Sequence, residues 1–243
     1  MRPTLCADSP DDRSCSLGVC ADSPGAGCGL PCPGYRQLVS WLLAALYDRF
    51  MRGTEEAVLR RWRAELLAPL AGSVLELGAG TGANLPFYSP EVSRLVLSEP
   101  DRHFRRRLVR RLAEVGRAAE VVDAPAERLP FPDASFDAVV STLVLCSVPD
   151  LQRALAEARR VLRPGGRLVF LEHVAAEDRP GRLAWQRRLE PLWRRLAGNC
   201  HLTRRTADAI EAAGFRMDSC TRESLRKALP WTRPSVRGYA LAP

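Results

Sequence analysis

Short apolar runs alternate with amphipathic helical patterns through most of this chain. Five runs predict buried strands, at residues 74–77, 94–99, 120–123, 136–142 and 166–172. Between some of these runs lie apolar residues at helical spacing, over 104–115 and 151–162. Strands that alternate with helices in this way form a parallel sheet with helices on both faces. The pattern therefore predicts an α/β fold with a doubly wound sheet.

The two ends of the folded part have patterns of their own. Two helices are predicted before the first strand, the first from 38 to 46 and the second from 58 to 67. After the fifth strand, a helix is predicted over 203–213 and ends at Gly214, and strands follow at 215–220 and 236–241. We interpret these last strands as an antiparallel pair at one edge. The prediction is therefore a mostly parallel, seven-stranded, Rossmann-like sheet.

The first 33 residues differ from the rest of the chain. They contain five of the eight cysteines, a repeated Cys-Ala-Asp-Ser-Pro pentapeptide and few apolar residues of core size. Such a segment cannot bury enough surface to become ordered, and it lacks the apolar core of a secretion signal. Its cysteine spacings form no Cys-x-x-Cys pair, which disfavours a metal site. We predict a disordered tail at 1–33 and one folded domain at 34–243.

Composition excludes few classes of function. The chain is basic, with a net charge of +8, but Lys227 is its only lysine, so the charge reflects an arginine-rich composition. We therefore expect no nucleic-acid partner. No apolar run approaches the roughly 20 residues that span a bilayer, and the domain is expected to be cytoplasmic. Its three cysteines, Cys146, Cys200 and Cys220, are dispersed along the sequence and expected to be reduced.

The most informative stretch follows the first predicted strand. Gly78, Gly80 and Gly82 alternate there, and glycine tolerates a positive φ and leaves no Cβ between backbone and ligand. Dinucleotide folds space their glycines one residue wider and bind phosphate. Here Glu76 precedes the turn, and a carboxylate suits a cationic ligand without phosphate, such as S-adenosylmethionine (SAM). Glu99 ends the next predicted strand, where a carboxylate can bind both ribose hydroxyls.

Five motifs in sequence order resemble the class I SAM-dependent methyltransferases. They lie at 76–82, 99–100, 126–131, 135–137 and 162–166. The resemblance implies that SAM lies across the carboxyl ends of the first strands. The positions assigned to the cofactor in these and neighbouring motifs are Glu76, Gly78, Ala79, Gly80, Gly82, Asn84, Glu99, Pro100, Ala126, Glu127, Thr142 and Leu143. Pro125 stands where many relatives carry Asp, so Glu127 or a backbone carbonyl must contact the adenine amine.

A narrower resemblance rests on residues 142–148, 172–174 and 199–204. These segments are similar to the membrane-associated alkyl thiol methyltransferases of animals and to their bacterial relatives. The resemblance implies methyl transfer to a small apolar acceptor, with a thiol sulfur expected first. Quinone-type carbon, phospholipid amine and SAM binding without turnover are the alternatives. The membrane anchor of that family has no counterpart in the tail, so attachment of that kind is not expected.

His173 is the predicted catalytic residue. It follows the fifth strand, and Cys146 and Ser147 follow the fourth, where the carboxyl ends of parallel strands face the ligand crevice. Because a thiol attacks as its thiolate, His173 is expected to be the general base or to stabilise the thiolate. A hydrogen bond to a loop is the alternative role. Cys146 is interpreted as a small apolar wall of the substrate pocket, and no metal ligand is assigned.

Three further residues complete the predicted site. The segment between Leu183 and Leu196 predicts a basic amphipathic helix, which we interpret as a lid with Trp185 in the substrate pocket. Peripheral contact with a membrane is the alternative. His201 is a second pocket candidate, interpreted as a cap for the helix at 203 in preference to a second base. Tyr47 is a candidate lid contact to SAM, with core packing as the alternative. The oligomeric state is not predicted.

Overall fold

The computed structural model describes residues 33–243, with side chains described from Trp41 onward. The tail predicted at 1–33 lies outside these residues except for Pro33, and its disorder stays a prediction. The helices are α1 (Pro33–Thr54), α2 (Arg60–Leu67), α3 (Arg102–Val115), α4 (Leu151–Val161), α5 (Pro180–Leu196) and α6 (Thr206–Ala212). No helix among the described residues is both long and apolar enough to cross a bilayer.

One seven-stranded sheet lies at the centre of the described residues. Its strands are β1 (Ser73–Leu77), β2 (Arg94–Ser98), β3 (Glu120–Val122), β4 (Phe136–Thr142), β5 (Leu162–His173), β6 (Arg216–Ser224) and β7 (Pro234–Leu241). Their order is β3-β2-β1-β4-β5-β7-β6. β1 to β5 pair in parallel, and β7 pairs antiparallel with β5 and β6. The predicted sheet with its antiparallel edge is confirmed.

Alternate residues of the central strands fill two hydrophobic clusters, one on each face of the sheet. Leu75 and Leu77 of β1 belong to the first cluster, and Val74 belongs to the second. Helices α4 and α6 contribute to the first cluster, and α2 and α3 contribute to the second. Strands buried on both faces are apolar almost throughout, as the sequence of this sheet is. The carboxyl ends of the parallel strands therefore open onto one common edge.

One continuous helical run precedes β1, where two separate helices were predicted. A π-helical turn, Glu55–Leu59, connects α1 directly to α2. Gly53 lies within α1 and does not end it. A π turn rotates the following residues relative to the preceding helix, and such turns often occur at functional sites. Here the turn carries Glu55, which pairs with a buried arginine of α2.

The fifth strand, predicted to begin at 166, begins at Leu162 and includes Pro164, Gly165 and Gly166. Phe136 pairs with Leu162, but Ala138, two residues further, pairs with Arg167. The surplus residues on β5 form a bulge in which Gly165 has a φ of 74°. A bulge of this kind keeps the strand paired while it absorbs extra residues.

The helix predicted from 203 begins only at Thr206. The Thr203 hydroxyl and N–H both donate to the Glu190 carboxylate of α5, at 2.5 Å and 2.9 Å. His201 also pairs with Glu190, with 3.3 Å between Nδ1 and Oε1. The predicted role of His201 as a helix cap is therefore wrong, because contacts to α5 hold this segment away from the helix.

Candidate active site

The turn after β1 has the conformation that its glycines predict. Gly78, Gly80 and Gly82 have φ values of 53°, 59° and 81°. A Cβ added at Gly78 would lie 2.8 Å from the Val144 side chain, whereas one at Gly80 would have its nearest neighbour at 3.9 Å. Gly78 is therefore required by packing, whereas a Cβ at Gly80 would meet its neighbours only at ordinary van der Waals distance and leaves space at the backbone. That space can hold a ligand directly against the backbone.

Glu99 lies beside this turn at the end of β2. One of its carboxylate oxygens accepts the Gly80 N–H at 2.8 Å, and the other accepts the Asp101 N–H at 2.9 Å. Burial raises the pKa of Glu99 to about 6, and the two N–H donors oppose the rise. Each oxygen keeps a lone pair for a ligand hydroxyl. The carbonyl of the following Pro100 accepts a hydrogen bond from Arg105.

Glu76 and Asn84 lie in a buried polar network beneath the turn. Asn84 Nδ2 donates to one Glu76 oxygen at 2.9 Å, and the Tyr88 hydroxyl donates to the other at 2.7 Å. Desolvation raises the pKa of Glu76 to about 7, although both hydrogen bonds lower it. A positive charge placed nearby would favour the ionised carboxylate. The environment of Glu76 therefore suits a cationic ligand.

Arg63 of α2 connects this network to the end of β4. Its side chain is only 4% exposed, and one guanidinium nitrogen donates to Asn84 Oδ1 at 2.6 Å and to Thr142 Oγ1 at 3.0 Å. A second nitrogen pairs with Glu55 of the π-helical turn at 2.9 Å. Because Arg63 occupies the amide oxygen of Asn84, the amide nitrogen is directed to Glu76.

Helix α1 closes over the glycine turn. The rings of Tyr47 and Phe104 meet edge to face, with 5.6 Å between centroids, and the Thr81 hydroxyl donates to Asp48 at 2.6 Å. Burial raises the pKa of Tyr47, so its phenol stays neutral. Leu143, directly after β4, has a φ of 60°, which is unusual for a residue with a side chain of this size.

The other residues assigned to the cofactor line the neighbouring strand ends. Ala79 and Ala126 are buried, and the Ala79 N–H donates to the Ser98 carbonyl at 2.9 Å. Glu127 accepts the Asp150 N–H at 3.2 Å, which ties the turn after β3 to the start of α4. The contact of Glu127 with adenine stays a prediction.

Three reactive side chains meet beyond β4 and β5. His173 Nε2 lies 2.7 Å from Cys200 Sγ, and one side-chain nitrogen or sulfur atom from each of Cys146, His173 and Cys200 lies within 4.8 Å of the other two. All three residues are buried. Cys146 and Cys200, which are dispersed along the sequence, therefore lie together in the fold. Cys220, by contrast, lies exposed on β6.

The three side chains of this cluster influence one another strongly. Burial lowers the pKa of His173, but the negative charge of Cys200 and the hydrogen bond to it raise the pKa more. The pKa of Cys200 is lowered to about 4 by a hydrogen bond with Cys146, with burial opposing and the charge of His173 assisting. The hydrogen bond with Cys200 raises the pKa of Cys146, and burial adds to the rise. Cys200 is therefore the more acidic of the two buried thiols, and His173 lies directly beside it.

Glu172 fixes the loop that carries Cys146. Its carboxylate accepts the Ser141 hydroxyl at 2.7 Å and the N–H groups of Val144, Leu145 and Cys146 at 3.0 to 3.2 Å. Burial raises the pKa of Glu172, and these four hydrogen bonds oppose the rise. Since four donors converge on one carboxylate, the loop after β4 is held in a single arrangement.

The segment at 199–204 brings Cys200 to the cluster. The His201 N–H donates to the Cys146 carbonyl at 2.8 Å, and Asn199 Nδ2 donates to the Ser147 carbonyl at 2.8 Å. Two backbone carbonyls of the β4 loop therefore hold the segment in place. Among the predicted pocket residues, Cys146, Ser147 and His201 lie together in this region.

The two tryptophans of α5 have different environments. Trp185 is 60% exposed, so its predicted position in the pocket is not observed. The buried face of α5 contains Gln186, one position and about 100° around the helix from Trp185. Trp193 packs edge to face on Trp231 and helps to lower the pKa of Cys200. Trp193 is therefore the tryptophan of α5 beside the cluster.

Sequence reasoning missed Arg63 and Glu172, although both left a signal. Arg63 lies at helical spacing between apolar residues, on the same stripe as Leu59, Trp62 and Leu66. A charge on a buried stripe requires partners, and Arg63 has three. Glu172 likewise ends an apolar strand that is buried on both faces.

Comparisons with known proteins agree with this architecture. A methyltransferase domain model matches residues 75–170. The human thiol S-methyltransferase TMT1A is 41% identical over 175 residues, which cover 70% of this chain and 70% of the relative. The human thiol S-methyltransferase TMT1B is 38% identical over 193 residues, which cover 78% of this chain and 79% of the relative.

The fold also recurs among solved structures. A SAM-dependent methyltransferase from Thermotoga maritima, described as a possible histamine N-methyltransferase, superposes with a TM-score of 0.61. The match covers 85% of this chain and 99% of that chain at 19% identity, and it supports the fold alone.

Fold and site together define a SAM-dependent methyltransferase. The glycine turn after β1, the acid after β2 and the antiparallel β7 all match that class, and so does the domain model. This chain belongs to the family of SAM-dependent methyltransferases that includes the two human relatives. The residues present fit the cofactor, because no atom would crowd a group at Gly80 and two buried carboxyl groups, Glu76 and Glu99, lie at the turn, where they suit a cationic ligand with ribose hydroxyls.

Proposed function

We propose that this protein transfers a methyl group from SAM to the sulfur of a small apolar thiol. The observation that carries the proposal is the cluster of Cys146, His173 and Cys200 at the carboxyl ends of β4 and β5. The buried imidazole of His173, next to the two thiols, can bind and ionise a further sulfur there. The names of the two human relatives support the same acceptor.

We propose that one group of residues binds SAM and another activates the acceptor thiol. When bound, SAM supplies a methyl group already activated by its sulfonium. Glu99 and the backbone at Gly80 are proposed to bind the ribose and methionine parts, and Glu76 to favour the cationic end. His173 is proposed either to accept the proton of the acceptor thiol or to stabilise the resulting thiolate, which is the nucleophile. Helix α1 and Trp193 exclude water from this edge of the sheet.

A labelled-methyl assay tests this function. The full chain is incubated with labelled SAM and, separately, an alkyl thiol, a demethylated quinone and phosphatidylethanolamine. We expect the label in the thioether alone. Transfer to the quinone or the lipid amine would replace the thiol as acceptor, and tight SAM binding without any transfer would leave a binding protein.

We also propose a peripheral membrane contact through α1 and α5. Large apolar side chains that are at least half exposed lie on both helices, namely Trp41, Leu42, Leu46, Phe50, Trp185, Leu192 and Leu196. The two helices adjoin, since a Cβ added at Gly198 would lie 4.0 Å from Leu43. Exposed arginines accompany them on α5, namely Arg187, Arg188 and Arg195. Apolar residues fringed by arginine suit an anionic interface.

Vesicle binding tests this contact. We expect the full chain to sediment with vesicles that contain phosphatidylglycerol and to lose most binding when Trp41 and Trp185 are both replaced by Ala. Replacement of Val109 and Val115, which are exposed on α3, is the matched control and is expected to retain binding. Equal sedimentation of the two double variants would contradict the contact.

A further inference from the structure

The buried cluster of Cys146, His173 and Cys200 has the geometry of a metal site. One ligand atom from each residue lies within 4.8 Å of the other two. Some point then lies within about 2.8 Å of all three atoms, and zinc–ligand bonds are about 2.0 to 2.3 Å long. Side-chain movements of less than an ångström would therefore complete a three-ligand site.

The backbone around the three ligands is already fixed. Glu172 receives three N–H groups from the loop that ends at Cys146. The His201 N–H binds the Cys146 carbonyl and so joins the segment of Cys200 to the same loop. Ligands that are held by a surrounding hydrogen-bond network bind metal with less loss of conformational freedom.

The cluster without an ion leaves polar atoms poorly matched. His173 Nδ1 is buried and has no hydrogen-bond partner among the described residues. Two sulfur atoms also lie together in a buried place, where two thiolates would repel each other strongly. A divalent cation would remove the second difficulty, because it offsets the charge of two thiolates, and it could bind His173 Nε2, the nitrogen that faces Cys200. Cysteine and histidine together favour zinc among the common divalent ions.

We propose that Cys146, His173 and Cys200 bind one zinc ion and that its fourth position accepts the sulfur of the acceptor thiol. Three protein ligands with one open position are the pattern of catalytic zinc sites, and two cysteines with one histidine are one such set. The part of the proposal that concerns the thiol rests on the proposed function, whereas the metal site does not.

The chemistry balances without an oxidant or reductant. The acceptor sulfur binds the ion, its S–H bond breaks and the proton passes to solvent. The sulfur lone pair then forms a bond to the methyl carbon of SAM. The bond between that carbon and the sulfonium breaks, and its electron pair stays on the sulfur of S-adenosylhomocysteine. If the ion is bound, His173 is one of its ligands. The ion then stabilises the acceptor thiolate, the role that the proposed function gives to His173.

Metal content is the first test, and it requires no activity. The full chain, purified without chelator, is expected to contain about one zinc per molecule. Cys146→Ser, His173→Gln and Cys200→Ser are each expected to lose most of it. Cys220→Ser, on the exposed cysteine of β6, and a variant with serine at all five tail cysteines are expected to retain it. SAM affinity reports whether each variant is folded.

Two results would overturn the metal site. One is equal zinc content in Cys200→Ser and Cys220→Ser when both bind SAM normally. The other is a metal-free wild-type protein in which mass spectrometry finds Cys146 and Cys200 as free thiols or joined in a disulfide.

A cobalt-substituted protein tests the fourth position. We expect charge-transfer absorption from cysteine sulfur to cobalt, and a change in this spectrum when an alkyl thiol is added. A spectrum that the thiol leaves unchanged would overturn the sulfur-binding role. Full methyl transfer to thiol by metal-free protein would also overturn that role, with the proposed function intact. Zinc binding and a thiol-dependent spectrum without transfer to thiol would support the site and contradict the proposed function.

Discussion

The two ends of the site differ in how the chain builds them. The cofactor end depends on residues close in sequence, since Glu76, the glycine turn and Asn84 follow one another, with Glu99 only one strand later. The acceptor end brings together Cys146, His173 and Cys200 from three separate segments. Cofactor recognition therefore depends mostly on two consecutive strands and the turns that follow them, whereas the acceptor site depends on the packing of the whole sheet edge.

The largest expected effect on the cofactor end is a loss of SAM affinity when Gly80 is replaced. Gly80→Val places a branched side chain in the proposed cofactor space at a φ of 59°, and we expect SAM affinity to fall roughly 10³-fold, equivalent to about 4 kcal/mol. Gly116→Val is the matched control, because Gly116 has a φ of 69° and nothing within 4 Å of an added Cβ. Calorimetry is expected to show a lower unfolding temperature for both variants, because both are strained. It is expected to show lost SAM affinity for Gly80→Val alone.

The acceptor end is tested by His173→Gln. We expect turnover with an alkyl thiol to fall roughly 10²-fold and SAM affinity to change less than about twofold, because His173 makes no contact with the glycine turn. His103→Gln on α3 is the control and is expected to keep both quantities. Near-normal turnover in His173→Gln would remove this residue from the reaction.

Arg63→Met tests whether the network beneath the turn stabilises the fold. The change leaves Asn84 Oδ1 and Glu55 without their partner, and we expect the free energy of unfolding to fall by about 2 kcal/mol. Arg61→Met, next along the helix but largely exposed in its pair with Glu65, is expected to change it by less than about 0.5 kcal/mol. Equal denaturation midpoints would show that the network contributes no stability.

The smallest expected effect is a pH dependence of SAM binding. The pKa of Glu76 is about 7 in the ligand-free protein, so its carboxyl group is largely protonated below that pH. A bound cation favours the ionised form, and binding therefore releases a proton. We expect SAM affinity to rise up to about tenfold between pH 6 and pH 8. Glu76→Gln should bind more weakly and with a flatter profile; an unchanged profile would contradict the role of Glu76.

The same contrast explains what could be predicted from the sequence. The parallel sheet, its antiparallel edge and the glycine turn follow from periodicity and from motifs contained in short segments. Cys200 lies 27 residues after its partner His173, and Arg63 lies 79 residues before Thr142. Neither contact can be predicted from the spacing of nearby residues, because both pairs form only after the sheet and its helices have packed.

Local patterns also fail where tertiary contacts override them. The apolar spacing of α5 predicts a buried Trp185, yet Gln186 is the buried residue, because its amide satisfies the backbone at Val174 and Ala176. A polar residue that is buried because of its hydrogen bonds cannot be predicted from the spacing of apolar residues.

The independence of the two ends is tested most directly by one comparison. The full chain carries three replacements together: Cys146→Ser, His173→Gln and Cys200→Ser. SAM affinity and methyl transfer to an alkyl thiol are measured on this variant. We expect SAM affinity within about twofold of wild type and no detectable thioether. A large loss of SAM affinity in the folded variant, or thioether formation at the wild-type rate, would contradict the division between a cofactor end and an acceptor end.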